Sequence, residues 1–293
     1  FIPGRSCVTN LLTYLNEVTT ALDSGVPYDV IMVDFRRAFD VVPFDLLLIK
    51  LEAHGILGEL LHWFDDWTKG RQQRVVINGH SSGWADVISS VVQGSVIGPV
   101  LFLLFINDID CVVDGEGTKM FKYADDSKFG RRIRSDKDVI ALQSDLDGVA
   151  HWAVLNGMAL HPQKTMVIHF GYNNPRHRYT LYGTEVESSA CVKDLGILIN
   201  EKCTPEDHVA AIAKRANCIL GQIRRSTINR SVNMVTKMYK TYVRPLIESS
   251  VQAWNPWLQR DIDHLEKVQR RATKLITGIG SKSYDERLAI CGL

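Results

Sequence analysis

The sequence predicts an α+β domain followed by an all-helical one. Three observations carry this. As far as about residue 200, windows of helical apolar spacing alternate with short extended runs. From Pro205 onwards only helical spacing is visible. The charge changes sign at the same place: residues 201–293 hold 16 Lys and Arg against 9 Asp and Glu, a net +7, while residues 1–200 carry a net −6. The boundary is expected at 200–204, giving domains 1–200 and 201–293.

Residues 6–22 place Val8, Leu11, Leu12, Leu15, Val18 and Leu22 on a helical stripe that stops at Ser24-Gly25. A strand over 28–35 contains the apolar run Val30-Ile31-Met32-Val33. Pro43 opens a helix over 43–53 that stops near Gly55, and a second helix runs over 57–69 to Gly70. Residues 73–77 and 84–88 read as hairpin arms around Asn78-Gly79, a strong turn pair, with a loop of two residues or longer. An apolar helix opening with Gly98-Pro99 is expected over 97–112, a hairpin over 119–131 and an amphipathic helix over 136–155. Strands follow at 165–170, 179–182 and 191–199, then helices at 205–226, 231–250 and 260–277.

With 293 residues, 45% apolar and 23% charged, the chain has an ordinary globular composition and enough length for a sizeable core, with no internal repeat. The longest apolar run, 96–106, is interrupted by Gly98-Pro99 and too short for a bilayer, so no membrane partner is expected. Residues 1–5 lack the organisation of a secretion signal, and without an initiator Met the chain reads as a fragment of something longer. Six scattered cysteines have no CxxC pair and no zinc-like spacing, which points to a reducing compartment and core packing rather than disulfides. The acidic first part suits a cation site and the basic second part a polyanion.

Tyr123-Ala124-Asp125-Asp126 puts two carboxylates at a hairpin tip. By itself that is the ordinary chemistry of a solvated turn. Asp34 changes the reading, because it ends the strand at 30–33 and supplies a third carboxylate. Three such groups can converge on hard divalent cations, and Mg²⁺ favours a few carboxylates plus substrate phosphates. Two ions roughly 3.5–4 Å apart would clamp the attacking and leaving oxygens of a phosphoryl transfer.

Taken in order, Asp34-Phe35-Arg36-Arg37-Ala38-Phe39-Asp40 resembles motif A of reverse transcriptases and Gln93-Gly94-Ser95-Val96-Ile97-Gly98-Pro99 resembles motif B. Tyr123-Ala124-Asp125-Asp126 is similar to motif C, residues 156–165 to motif D, and Leu195-Gly196-Ile197 to motif E. Pro3-Gly4-Arg5-Ser6 with Thr9-Asn10 resembles the segment before motif A in non-LTR retrotransposons. Each motif alone is weak, but five in order over nearly the whole chain are specific. The chain resembles LINE-type, jockey-like reverse transcriptases. That resemblance implies a right-hand polymerase, with a palm and partial fingers over 1–200 and a helical thumb over 201–293. It also implies two Mg²⁺ ions (or Mn²⁺), an RNA template, a DNA primer, an RNA/DNA duplex and dNTP, and an intracellular location in nucleus and cytoplasm.

The resemblance makes Asp34 and Asp125 direct ligands of both metals, with Asp126 a less persistent ligand at the same tip. Phe35 takes a position whose backbone touches the metal, although a core-facing aromatic explains its side chain equally well. Phe39 corresponds to the aromatic under the sugar that excludes a 2′-OH; on its own it reads as a core residue. Asp40 is read as the cap of the 43–53 helix. Gln93 and Gly94 would lie beside the incoming nucleotide and template, although Ser90-Val91-Val92 stands where the family has Gly-Val-Pro. Lys164 resembles the motif D lysine that protonates the leaving pyrophosphate, a solvated Lys being the alternative. Tyr123 is expected near the primer end and residues 195–197 near the primer backbone. Arg71 and Arg74 are candidate phosphate contacts. So are Arg224, Arg225, Arg230, Lys267, Arg270, Arg271 and Lys274, with Lys267, Arg270, Arg271 and Lys274 able to share one helix face. Trp254 and Trp257 read as core anchors. Rival readings are an intron-maturase-type reverse transcriptase, a catalytically inactive fragment that only binds RNA, and a structural cation site, which leaves Gln93-Gly94 and Lys164 unexplained. Oligomeric state is not encoded in any motif.

Overall fold

The computed structural model describes residues 3–113 and 115–293. Phe1 and Ile2, where the leaderless reading begins, lie outside the described residues. The chain divides into two compact units, 1–6 with 17–189 and 7–16 with 190–293, and helix α1 (Cys7–Asp23) contributes to both.

The first unit is organised around β1 (Tyr28–Val33), whose β-branched run suits a buried pleated strand. Helices α2 (Phe44–Ala53) and α3 (Gly58–Thr68) follow. Next comes a ribbon of β2 (Gln72–Gln73), β3 (Val76–Ile77), β4 (His80–Ser81) and β5 (Ala85–Asp86). Helix α4 (Gly98–Ile106) continues as a 3-10 turn (Asn107–Val112). The hairpin β6 (Thr118–Tyr123) and β7 (Asp126–Arg132) precedes α5 (Asp136–Leu155) and β8 (Met166–Phe170). Three short strands close the unit: β9 (Thr180–Leu181), β10 (Thr184–Glu185) and β11 (Glu187–Ser188).

The main sheet runs β11-β8-β1-β7-β6, with β1 antiparallel to both its neighbours and β11 parallel to β8. Ile31, Val33, Phe129 and Val167 from the sheet share one buried core with Leu47 and Leu51 of α2, Phe102 and Phe105 of α4, and Leu142, Leu146 and Val149 of α5. Each fully buried Leu or Phe there stabilises the unit by about 1.5–3 kcal/mol relative to exposure. Asp29 is fully buried in β1 and fully answered. It stands 2.8 Å from His169 Nδ1 and accepts from Asn174 Nδ2 at 2.7 Å and the Tyr179 hydroxyl at 2.7 Å. Burial, then the Asp29 charge, push the Tyr179 hydroxyl well above its ordinary range, so it stays a donor.

The second unit begins with β12 (Cys191–Asp194) and β13 (Ile197–Asn200), then α6 (Glu206–Ser226). It continues with α7 (Val232–Met238), a π turn (Tyr239–Val243), α8 (Arg244–Glu248), α9 (Val251–Trp254), α10 (Gln259–Lys274) and α11 (Tyr284–Cys291). Ala213, Ala216, Leu220, Tyr239, Val243, Val268 and Ala272 form its core, the small alanines letting α6 and α10 approach closely.

Several sequence expectations are corrected. The 191–199 strand is a hairpin, because Leu195 at φ 43° and Gly196 at φ 92° reverse the chain in two residues. The units divide at 189/190 rather than 200–204, since this hairpin packs on α6: the Leu198 N–H donates to His208 Nδ1 at 3.2 Å. The 231–250 helix runs without a break over 232–248, widening to a π turn at 239–243 just before Pro245, which lacks an N–H to donate, and it ends before Ser250 at φ 53°. The 97–112 helix tightens to 3-10 after Ile106. Asn78-Gly79 is a two-residue loop. None of the six cysteines is in a disulfide; Cys291 is buried, Cys7, Cys191 and Cys203 are half-buried, and Cys111 and Cys218 are exposed, where core packing does not explain them.

Candidate active site

Asp34 follows the last residue of β1. Val33 pairs with Ser127, so the register continued by one residue sets Asp34 opposite Asp126, the first residue of β7. Asp126 also pairs with Tyr123, which leaves only Ala124 and Asp125 at the hairpin tip. Ala124 takes φ 55° to complete the reversal, the positive φ that two-residue hairpin loops demand. Gly130 keeps β7 close to β1: a Cβ there would stand 2.8 Å from the Asp29 carbonyl oxygen. The three carboxylates therefore share one end of two adjacent strands.

Past Asp34 the chain pairs with motif D. Phe35 bridges Leu160, the Arg36 N–H donates to the Ala159 carbonyl at 2.8 Å, and the His161 N–H donates to the Asp34 carbonyl at 2.7 Å. A tight turn follows, in which the N–H groups of Lys164 and Thr165 donate to the His161 carbonyl at 3.0 and 2.9 Å. This brings Lys164 Nζ to 3.4 Å from Asp34 Oδ2. The Asp34 side chain is 41% exposed. Its Oδ2 is nonetheless shut off from water and accepts no hydrogen bond among the described residues. Ser127 Oγ and His161 Nδ1 are also buried and find no partner among the described residues. Buried polar atoms are normally satisfied, and these three lie together at one strand end, while others, such as Thr236 Oγ1 and Asp261 Oδ2, lie elsewhere.

Among the described residues, no group of three or more His, Cys, Asp or Glu could hold a metal ion. Asp34, Asp125 and Asp126 share a strand end without forming a ready-made three-carboxylate cage. Mutual repulsion keeps ionised carboxylates apart in the absence of a cation. The donor set still fits Mg²⁺: hard carboxylate oxygens, one of them desolvated and unbonded, leaving positions for water and phosphate oxygens.

Motif B is laid along the same stretch of motif A. The Val91 N–H donates to the Phe39 carbonyl at 2.8 Å, the Ser90 N–H to the Val42 carbonyl at 2.9 Å, and Ser89 Oγ to the Asp40 carbonyl at 2.8 Å. Gln93 Nε2 donates to Asp40 Oδ1 at 2.6 Å. Asp40 is thus the partner of Gln93 and not the cap of α2, whose N-cap Pro43 receives no side-chain bond. Gly94 adopts φ 82°. Ser90 adopts φ 133°, where a side chain is strained, and this is a position where the motif B pattern carries Gly. Ser95 Oγ accepts from the Gly98 N–H at 2.9 Å and so opens α4.

Phe39 stacks on Phe102, ring centroids 4.3 Å apart, and is half-buried at the core edge. Phe35 is buried, edge-on to Trp152. Tyr123 is exposed beside the tip. Arg71 lies over Phe44 and Trp67 and donates to the Thr68 carbonyl at 3.0 Å, and Arg74 lies over Trp84; both rest on the protein itself.

In the second unit Arg224 and Arg225 are exposed at the end of α6, and Arg230 donates to the Arg224 carbonyl at 3.1 Å. Lys267, Arg270, Arg271 and Lys274 are exposed on α10, at spacings that set them on one side of the helix. Arg271 donates to Asn217 of α6 at 2.8 Å, while Arg270 lies over the Tyr284 ring of α11 at 4.4 Å. Trp254 is a buried anchor, whereas Trp257 is exposed. Sequence reasoning passed over the Asp40–Gln93 bond, Ser127 and His161. The three-residue spacing from His161 to Lys164, typical of a turn, was the available signal.

A family model described as Reverse transcriptase (RNA-dependent DNA polymerase) matches residues 1–204. The chain is 24% identical over 287 residues to the probable RNA-directed DNA polymerase from transposon X-element of Drosophila melanogaster, covering 95% of this chain and 31% of that protein. It is also 24% identical over 296 residues to the corresponding protein from transposon BS of the same organism (94% and 32%). To the RNA-directed DNA polymerase from mobile element jockey it is 23% identical over 263 residues (84% and 28%). The chain spans about a third of the length of the curated relatives it matches. Among solved structures, apo telomerase from Candida tropicalis aligns with 97% of this chain and 48% of its own at TM-score 0.52 and 10% identity, a likeness of fold. The architecture is a mixed helix-and-sheet polymerase palm and fingers fold. With the five motifs in order and these relatives, the chain belongs to the reverse transcriptase (RNA-dependent DNA polymerase) family, on its LINE-type retrotransposon branch.

Proposed function

We propose that this chain is the RNA-directed DNA polymerase core of a LINE-type retrotransposon, working inside the cell in nucleus and cytoplasm. It joins dNTPs to the 3′-OH of a DNA primer on an RNA template and releases pyrophosphate. One observation carries this reading: the sheet register that brings Asp34 level with the Asp125–Asp126 hairpin, with motifs B and D hydrogen-bonded to the adjoining stretch of motif A.

In this reading Asp34 and Asp125 hold two Mg²⁺ (or Mn²⁺) ions, with Asp126 assisting. Bound there, Mg²⁺ supplies activation of the 3′-OH and neutralises triphosphate charge. The Phe35 carbonyl adds a main-chain donor. Gln93, oriented by Asp40, and Gly94 lie against the incoming nucleotide and template. Phe39, wedged on Phe102, sits under the sugar and rejects a 2′-OH. Tyr123 supports the primer end. Lys164 protonates the departing pyrophosphate. The basic helical unit acts as a thumb, in which Arg224, Arg225, Lys267, Arg270, Arg271 and Lys274 grip the phosphates of the RNA/DNA duplex without reading sequence.

A second reading, a catalytically inactive chain that binds only RNA, is favoured by the strained Ser90 in the motif B loop. Primer extension on an RNA template with dNTPs and Mg²⁺ separates the two. The expected result is extension that vanishes in Asp125→Asn. RNA binding without extension, in both proteins, overturns the polymerase reading.

A further inference from the structure

We propose that Lys164 is the counter-cation of Asp34 in the metal-free protein, displaced by the arriving metal towards the substrate phosphates. This deepens the metal reading above and rests on it. Lys164 Nζ is within ion-pair distance of Asp34 Oδ2, 3.4 Å, yet that oxygen accepts no hydrogen bond among the described residues. Elsewhere in the same unit, the lysines that serve as fixed struts sit closer. Lys50 donates to Asp108 at 2.8 Å, and Lys122 stands 2.8 Å from Asp110. Those two side chains are 14% and 19% exposed, whereas Lys164 is 62% exposed. Its hold on Asp34 is electrostatic and loose, and an ammonium on a flexible stem gives it up readily.

The backbone makes the exchange local. Lys164 is tied to His161, which is tied to the Asp34 carbonyl. Release therefore moves the side chain while the turn stays fixed. A desolvated carboxylate oxygen with only a distant ammonium beside it is an incomplete site, and a hard cation completes it better. By linkage the effect is reciprocal: the lysine opposes metal entry, and the metal frees the lysine. Lys164 thereby becomes available for phosphate oxygens only once the site is loaded.

The test is binding of terbium(III), a hard oxygen-seeking ion whose emission is sensitised by nearby aromatics such as Tyr123, with the whole chain and no substrate. Lys164→Met should bind about two- to fivefold more tightly than wild type, the worth of an exposed ion pair. Lys164→Arg, which keeps the charge, should bind as wild type does. Asp34→Asn, checked for folding by circular dichroism, should lose the signal. In parallel, the acylation rate of Lys164, read by mass spectrometry, should rise when terbium is added. Unchanged or weaker affinity in Lys164→Met, with Asp34-dependent binding intact, overturns this inference alone. If no protein shows Asp34-dependent binding, the metal reading falls with it.

Discussion

Asp29 and Asp34 stand near the two ends of β1, and their surroundings are opposite. Asp29 is buried among donors from His169, Asn174 and Tyr179, all within hydrogen-bond reach. Asp34 keeps one desolvated oxygen without a hydrogen bond among the described residues and faces an exposed lysine at 3.4 Å. The histidines repeat the contrast, since His208 Nδ1 receives a backbone N–H while His161 Nδ1 is buried and receives nothing among the described residues. A carboxylate that holds the fold is saturated by its own protein, and one that works is left short of partners for something else to complete.

The largest expected effect breaks that comparison directly. Asp29→Ala leaves the buried His169 and Tyr179 without their acceptor and should cost about 3–5 kcal/mol in urea unfolding. Asp34→Ala should leave stability within about 0.5 kcal/mol of wild type, or raise it, while removing extension. Equal losses at the two positions would erase the distinction. Next is the backbone of the same site: Ser90→Gly relieves φ 133° and should raise stability by about 1–2 kcal/mol in the same assay. The smallest effect is pH dependence at His208. Burial lowers its proton affinity, and its Nδ1 must stay unprotonated to accept from Leu198. The folded pKa lies below the unfolded value of about 6.5, so the unfolded chain binds the proton first. Stability is full above about pH 6.5 and declines below it, by less than about 1.4 kcal/mol per pH unit. His208→Gln should flatten that slope, and an unchanged slope would assign it to other groups.

Much of the fold was legible because its signals are local. The β-branched run of β1, the helical stripe of α5 and the Asn78-Gly79 turn are each read within a few residues. The carboxylate positions were legible for the same reason, since a strand end and a hairpin tip announce themselves. What escaped depends on contacts distant in sequence. Asp40 looks like a helix cap until Gln93, 53 residues away, takes its carboxylate. The 191–199 segment looks like one strand because Leu195, an unfavoured residue at positive φ, gives no warning of the reversal. Lys267, Arg270, Arg271 and Lys274 share the helix side their spacing implies, but spacing does not tell that the tips of Arg271 and Arg270 rest on α6 and α11.

The β6–β7 hairpin carries a consequence for how this chain can vary. Its pairing runs from Tyr123–Asp126 to Thr118–Arg131 without a bulge, and the other edge of β7 is held in register by β1. One added residue at the tip could not be taken up as slack. It would either loop out, carrying Asp125 off the strand end, or slide β7 and turn its buried side chains outward. The hairpin therefore acts as a ruler: side chains along it are open to exchange, but its length is part of the chemistry.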